Sequence, residues 1–85
     1  QFPHPDEDER LALWQRLLPA AAPRAPGLDL RRLAVAYTDF TGGHIRNAVV
    51  TAAYLAAEAG EPIGMAHLDA AARAEAKALG RVLST

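Results

Sequence analysis

The sequence predicts an all-α fold of four helices, on three observations. Apolar residues recur three and four positions apart, and no run of strict alternation marks a strand. Prolines and glycines cluster between these stretches and divide the chain into four. Alanine, the strongest helix former, supplies 20 of the 85 residues. No internal repeat is present.

Residues 1–5 read as an extended leading segment, because Pro3 and Pro5 disfavour helix in the residues before them. Asp6 is the predicted cap of the first helix. Glu9 stands three residues on, as in a capping box, and the acidic run Asp6 to Glu9 suits the positive end of a helix. Leu11, Trp14 and Leu18, with Leu17 alongside, form one apolar face. Pro19 ends this helix, and the proline-rich stretch Pro19 to Gly27 reads as a loop. Asp29 is expected to cap a short second helix that buries Leu30, Leu33, Ala34 and Tyr37. Thr41 is placed as the cap of the third and longest helix, which runs to about Ala59 and stops at Gly60. Its inner face is Ile45, Ala48, Val49, Ala52 and Leu55 or Ala56. After the turn at Glu61-Pro62, Ile63 is expected to plug the core from an extended segment. A fourth helix spans about Met65 to Leu79, burying Leu68, Ala72 and Leu79, with Gly80 as its stop and 81–85 as a fraying tail.

Composition excludes several classes of function. There is no cysteine, so disulfide frameworks and thiolate chemistry are ruled out. No apolar run approaches the ~20 residues of a membrane span, and no secretory leader pattern is present. Nine Lys and Arg against ten Asp and Glu leave a net charge of −1, which disfavours a general nucleic-acid binder. A cytoplasmic domain is therefore expected. Only 23 of the hydrophobic residues are larger than alanine, so the core is thin. A domain of this size with so thin a core leans on a partner surface, which points to a piece of a larger protein.

An inventory of chemistry yields little. The chain has no G-x-x-x-x-G-K-[ST] phosphate loop and no H-E-x-x-H, and His4, His44 and His67 lie apart from one another. The acidic run at Asp6 reads as a solvated cap, and no metal site is expected. The informative segment is Tyr37 to Val49, Y-T-D-F-T-G-G-H-I-R-N-A-V. Gly42 and Gly43 at a helix start leave backbone N–H groups bare, so a flat ligand can approach the main chain. Arg46, near the same turn, carries a guanidinium fork suited to phosphate oxygens. On a purely structural reading, the glycines permit a tight turn and Arg46 lies on a solvated face. Trp14 and Tyr54 are read as core or interface packing. Arg10 and Arg16 are read as solvated or locally paired, with subunit contacts as the alternative, and Arg73, Glu75 and Lys77 as a polar face.

These parts in this order resemble a known family. Phe2-Pro3, Arg10 and the run Trp14 to Pro19 come first, then Asp29-Leu30 with Leu33-Ala34. Phe40-Thr41-Gly42-Gly43-His44-Ile45-Arg46-Asn47-Ala48 follows, and Ile63, His67-Leu68 and Ala71-Ala72 complete the pattern. From Phe2 to about Arg81 the chain resembles the C-terminal helical lid subdomain of an AAA+ ATPase. It is similar to a bacterial group of ring ATPases, some of them associated with contractile phage-tail-like injection systems. The resemblance makes residues 6–80 the lid.

In that family the lid covers ATP held by a separate α/β subdomain. The resemblance thus implies that Gly42 and Gly43 lie against the adenine and ribose, with Leu17 to Pro19 near the adenine as well. It makes Arg46 the candidate for the sensor-2 arginine, which reaches the γ-phosphate, with His44 close to the same position. The implied partners are the large α/β subdomain of the same chain and the neighbouring subunits of a hexameric ring. ATP and Mg²⁺ belong to the parent protein, whose phosphate loop, metal-binding acid and arginine finger would come from outside these residues. The chain alone is not expected to hydrolyse ATP. Two rival readings are a helix-turn-helix DNA-binding module and a helical protein-interaction domain. The first has only Arg46, Asn47 and Thr51 on its recognition helix to read DNA. The second leaves the Thr-Gly-Gly-His-Ile-Arg string unexplained.

Overall fold

The computed structural model describes residues 4–83, with no side-chain account beyond residue 80. It contains four helices: α1 (Glu7–Leu17), α2 (Leu30–Ala36), α3 (Gly42–Ala59) and α4 (Met65–Leu83). Residues 1–3 of the expected leading segment, with Phe2-Pro3, and the tail residues 84–85 lie outside the described residues.

Each helix begins where a local acceptor meets an unpaired N–H. The Asp6 carboxylate accepts the Glu9 N–H at 2.8 Å, and Glu9 accepts the Asp6 N–H at 2.8 Å, so the capping box closes. Asp29 accepts the Arg32 N–H at 3.1 Å and starts α2. Gly60 ends α3 in the left-handed region at φ 67, where a side chain would be strained. The fourth helix differs from expectation at its end. It runs through Gly80 to Leu83, because Gly80 takes no positive φ and so provides no left-handed stop.

The core is one cluster in which Trp14, Leu33, Phe40, Ile45, Val49, Ile63 and Leu68 are the largest fully buried side chains. The predicted inner face of α3 is observed with Ala56 buried and Leu55 half-buried. Ala34 of α2 is also buried, as are Ala48 and Ala52 of α3 and Ala71 and Ala72 of α4, so α3 and α4 pack on small side chains. Leu30, Tyr37 and Leu79 pack only part-buried at its edge. Of the two readings of Tyr54, core packing is not observed: it is exposed on the outer face of α3 with Val50, its neighbour one turn back. Trp14 Nε1 is buried without an acceptor among the described residues, a penalty of about 1–3 kcal/mol.

The α1–α2 and α3–α4 connections hold each other. Ala25 N–H donates to Ile63 O and Ile63 N–H to Pro23 O, both at 2.9 Å, a single parallel bridge between Arg24 and Ile63. Ile63 is thereby pinned with its side chain in the core, and the proline-rich loop gains backbone partners it cannot find locally. Arg24 donates to Leu18 O at 3.2 Å and ties the same loop to the end of α1. On the surface, Arg31 pairs with Glu7 and Asp8, and Arg32 with Asp69. Hydrogen bonding to these carboxylates raises both arginine pKa values from their ordinary level.

Candidate functional site

Thr41 is extended, at φ −92 and ψ 177, and α3 begins immediately after it. The first bond across this turn runs from the Ile45 N–H to Thr41 O at 3.0 Å. The N–H groups of Gly42 and Gly43 precede it and have no intrahelical acceptor, while that of His44 faces the Thr41 side chain in a capping box. They make the positive end of an 18-residue helix.

His44 is turned to a different task. Its Nδ1 accepts the Thr41 backbone N–H at 3.0 Å and lies 3.0 Å from Thr41 Oγ1. An Nδ1 that accepts is unprotonated, so the ring hydrogen belongs on Nε2. The ring also packs on Phe40, with centroids 5.7 Å apart, and Phe40 in turn stacks on Tyr37 at 4.9 Å. Capping and aromatic packing together hold the imidazole against the connection between α2 and α3.

The glycine pair is not explained by the turn. Among the described residues only Gly27 and Gly60 have positive φ, so neither Gly42 nor Gly43 is conformationally required. A Cβ on Gly42 would meet Leu13 at 3.8 Å, and one on Gly43 would meet Thr41 Oγ1 at 3.7 Å, both ordinary contacts. Nothing among the described residues demands that these two side chains be missing.

Arg46 lies three and four residues beyond the glycines, hence on their face of the helix. Side chains on a helix lean towards its N-terminus, so a guanidinium at this position overhangs the bare first turn. Arg46 is exposed and has no hydrogen bond or ion pair among the described residues. Two residues separate it from His44, a rotation of about 200° around the helix axis. The fold therefore gathers Gly42, Gly43 and Arg46 on one face and sends His44 to the opposite one. At the end of α1, Leu18 is buried at 3% while Leu17 is half-buried and Pro19 exposed. A shallow depression along α1 is lined by Pro5, Glu9, Ala12, Leu13 and Arg16, and it is the Leu13 side chain that a Cβ on Gly42 would meet.

Arg10 corrects the sequence reading. It is neither solvated nor paired with a carboxylate among the described residues: it is 6% exposed and donates to backbone carbonyls. A signal was present, since residues 10, 14 and 18 share the four-residue spacing of the buried face. Arg16 stays exposed.

No group of three or more His, Asp or Glu among the described residues could hold a metal ion. No described helix is long and apolar enough to cross a membrane. Residues 37–41 separate α2 from α3, longer than the turn of three or four residues that joins the helices of a DNA-reading pair. Residues 6–78 match the family model described as the contractile injection system ATPase helical domain. No curated protein matches the chain.

Proposed function

The chain belongs to the contractile injection system ATPase helical domain family, and on that premise we propose that it is the C-terminal lid of an AAA+ ATPase. In this role it closes over ATP bound to a separate α/β subdomain of the same protein. The observation that carries the reading is the first turn of α3. Two glycines stand there without conformational need, their own N–H groups preceding the helix ladder, beside an arginine with no partner among the described residues. A planar base and ribose fit against a backbone without Cβ atoms, and the helix end with Arg46 favours phosphate oxygens.

In this reading Arg46, not His44, reaches towards the γ-phosphate, because His44 Nδ1 is already used in capping Thr41. Contacts from ATP to both bodies favour the closed angle, and loss of the γ-phosphate releases it. Neighbouring subunits of a hexameric ring would feel each change of angle. Mg²⁺ and the phosphate loop would be held by the α/β subdomain, since these residues offer no ligand set for the ion. The chain by itself positions nucleotide and does not hydrolyse it.

Two experiments test the reading. A G-x-x-x-x-G-K-[ST] loop encoded one α/β domain upstream of Gln1 supports it, and its absence from the full gene sinks it. In the full-length protein, Arg46→Ala should lower ATP turnover about tenfold or more while the melting curve is unchanged. Undiminished turnover removes Arg46 from the site.

A further inference from the structure

Arg10 is the buried charged side chain of the described residues, and it faces no carboxylate. Its Nε donates to Ala34 O at 2.8 Å and its Nη1 to Pro5 O at 2.7 Å, with Thr38 O at a longer 3.4 Å. These carbonyls come from three separate segments: the leading segment, the last turns of α2, and the connection to α3. Taking a guanidinium out of water is unfavourable unless such bonds replace its hydration. An apolar side chain would fill the same space without that penalty. What it cannot do is hold three segments at fixed distances, which a planar fork with donors on several edges can.

The segments it joins point to the candidate site. Thr38 stands three residues before Thr41, the cap of α3. Phe40, between them, is buried 6.3 Å from Trp14, the residue one turn beyond Arg10 on α1. Pro5, Arg10 and this aromatic contact thus form one continuous path of contacts to the connection that leads into α3.

We propose that Arg10 is a positioning residue that fixes the first turn of α3, and with it Arg46, relative to the leading segment. The proposal rests on the lid reading, in which the preceding subdomain acts on the lid through that segment. Without the Arg10 clamp α3 still forms, but its start shifts against Pro5 and Arg46 is misplaced at the phosphate.

The test is steady-state ATP hydrolysis by the full-length protein as wild type, Arg10→Lys, Arg46→Ala and the double variant, below the melting temperature of each. Lysine keeps the charge but donates from a single atom, so it cannot hold Ala34 O, bonded by Nε, together with the carbonyls bonded by Nη1. Arg10→Lys is expected to lower kcat/KM about fivefold or more, the lower end of coupling between sites. The double variant is expected to be no slower than Arg46→Ala alone, because Arg10 acts through Arg46. A double variant slowed again by the full Arg10→Lys factor overturns the inference alone, as does wild-type activity in Arg10→Lys. Wild-type activity in Arg46→Ala overturns the lid-sensor reading, and this inference falls with it. Should Arg10→Lys fail to fold, Pro5→Gly loosens the same anchor from the other side. It should show the same loss only while Arg46 is present, and either a multiplicative loss or none overturns the proposal.

Discussion

The imidazole of His44 accepts the backbone N–H of Thr41 at 3.0 Å, three residues earlier in the chain. His67 repeats the arrangement at the start of α4, where its Nδ1 accepts the Gly64 N–H at 3.0 Å. In both places a histidine stands where a capping box carries Glu or Gln. At His67 the other ring nitrogen lies 3.0 Å from Glu61, so a single neutral tautomer satisfies both bonds.

His44→Ala should therefore destabilise the chain by about 1 kcal/mol, the usual cost of a lost cap, with a further loss from the contact with Phe40. His44→Gln should recover most of it, since glutamine reaches back to the same N–H. Urea unfolding followed by far-UV circular dichroism measures both. Equal losses in the two variants would show that packing, not capping, is what His44 contributes.

Gly42→Ala and Gly43→Ala should each leave folding stability within about 0.5 kcal/mol of wild type. Both added methyl groups meet neighbours at ordinary contact distance and neither backbone needs positive φ. If the lid reading holds, the same substitutions raise the KM for ATP in the full-length protein. Stability is read by denaturant titration and KM by initial rates. Unfolding without a nucleotide effect would return the glycines to a purely structural role.

Gly80→Ala should stabilise the chain by up to about 1 kcal/mol, the helix-propensity difference between the two residues. Gly80 sits inside α4 with nothing within 4 Å of an added Cβ. A helix that stopped at Gly80 in the left-handed region would make the substitution destabilising instead, so the sign of the change in melting temperature decides.

Phe40→Ala should cost about 3–5 kcal/mol, as truncation of a buried aromatic does. Phe40 is 1% exposed and packs on Trp14, Tyr37 and His44, so its loss opens the junction of α1, α2 and α3 together. Against a small domain's total stability of about 5–15 kcal/mol, this approaches unfolding. Near-UV circular dichroism of the Trp14 band should collapse in Phe40→Ala and persist in Phe40→Leu.

What was legible in the sequence was what depends on neighbours within about four residues. Asp6 with Glu9, Asp29 with the second helix and Thr41 with the third place the helix starts. Apolar spacing placed Trp14, Leu33, Ile45 and Leu68 inside, and Gly60 ended α3. Gly42, Gly43 and Arg46 could be picked out because a helix start is a local object. The rest required the chain to fold. Arg10 was misread because its acceptors at Ala34 and Thr38 lie 24 and 28 residues away, and a charge is buried only where distant carbonyls replace water. The link from the proline-rich loop to Ile63 spans a still longer gap in sequence. Gly80 resembles a stop by residue type, yet its φ is set by the helix that continues through it. The division between His44 and Arg46 needed both scales, because helical rotation separates them and only the packed aromatic group shows which one faces inward.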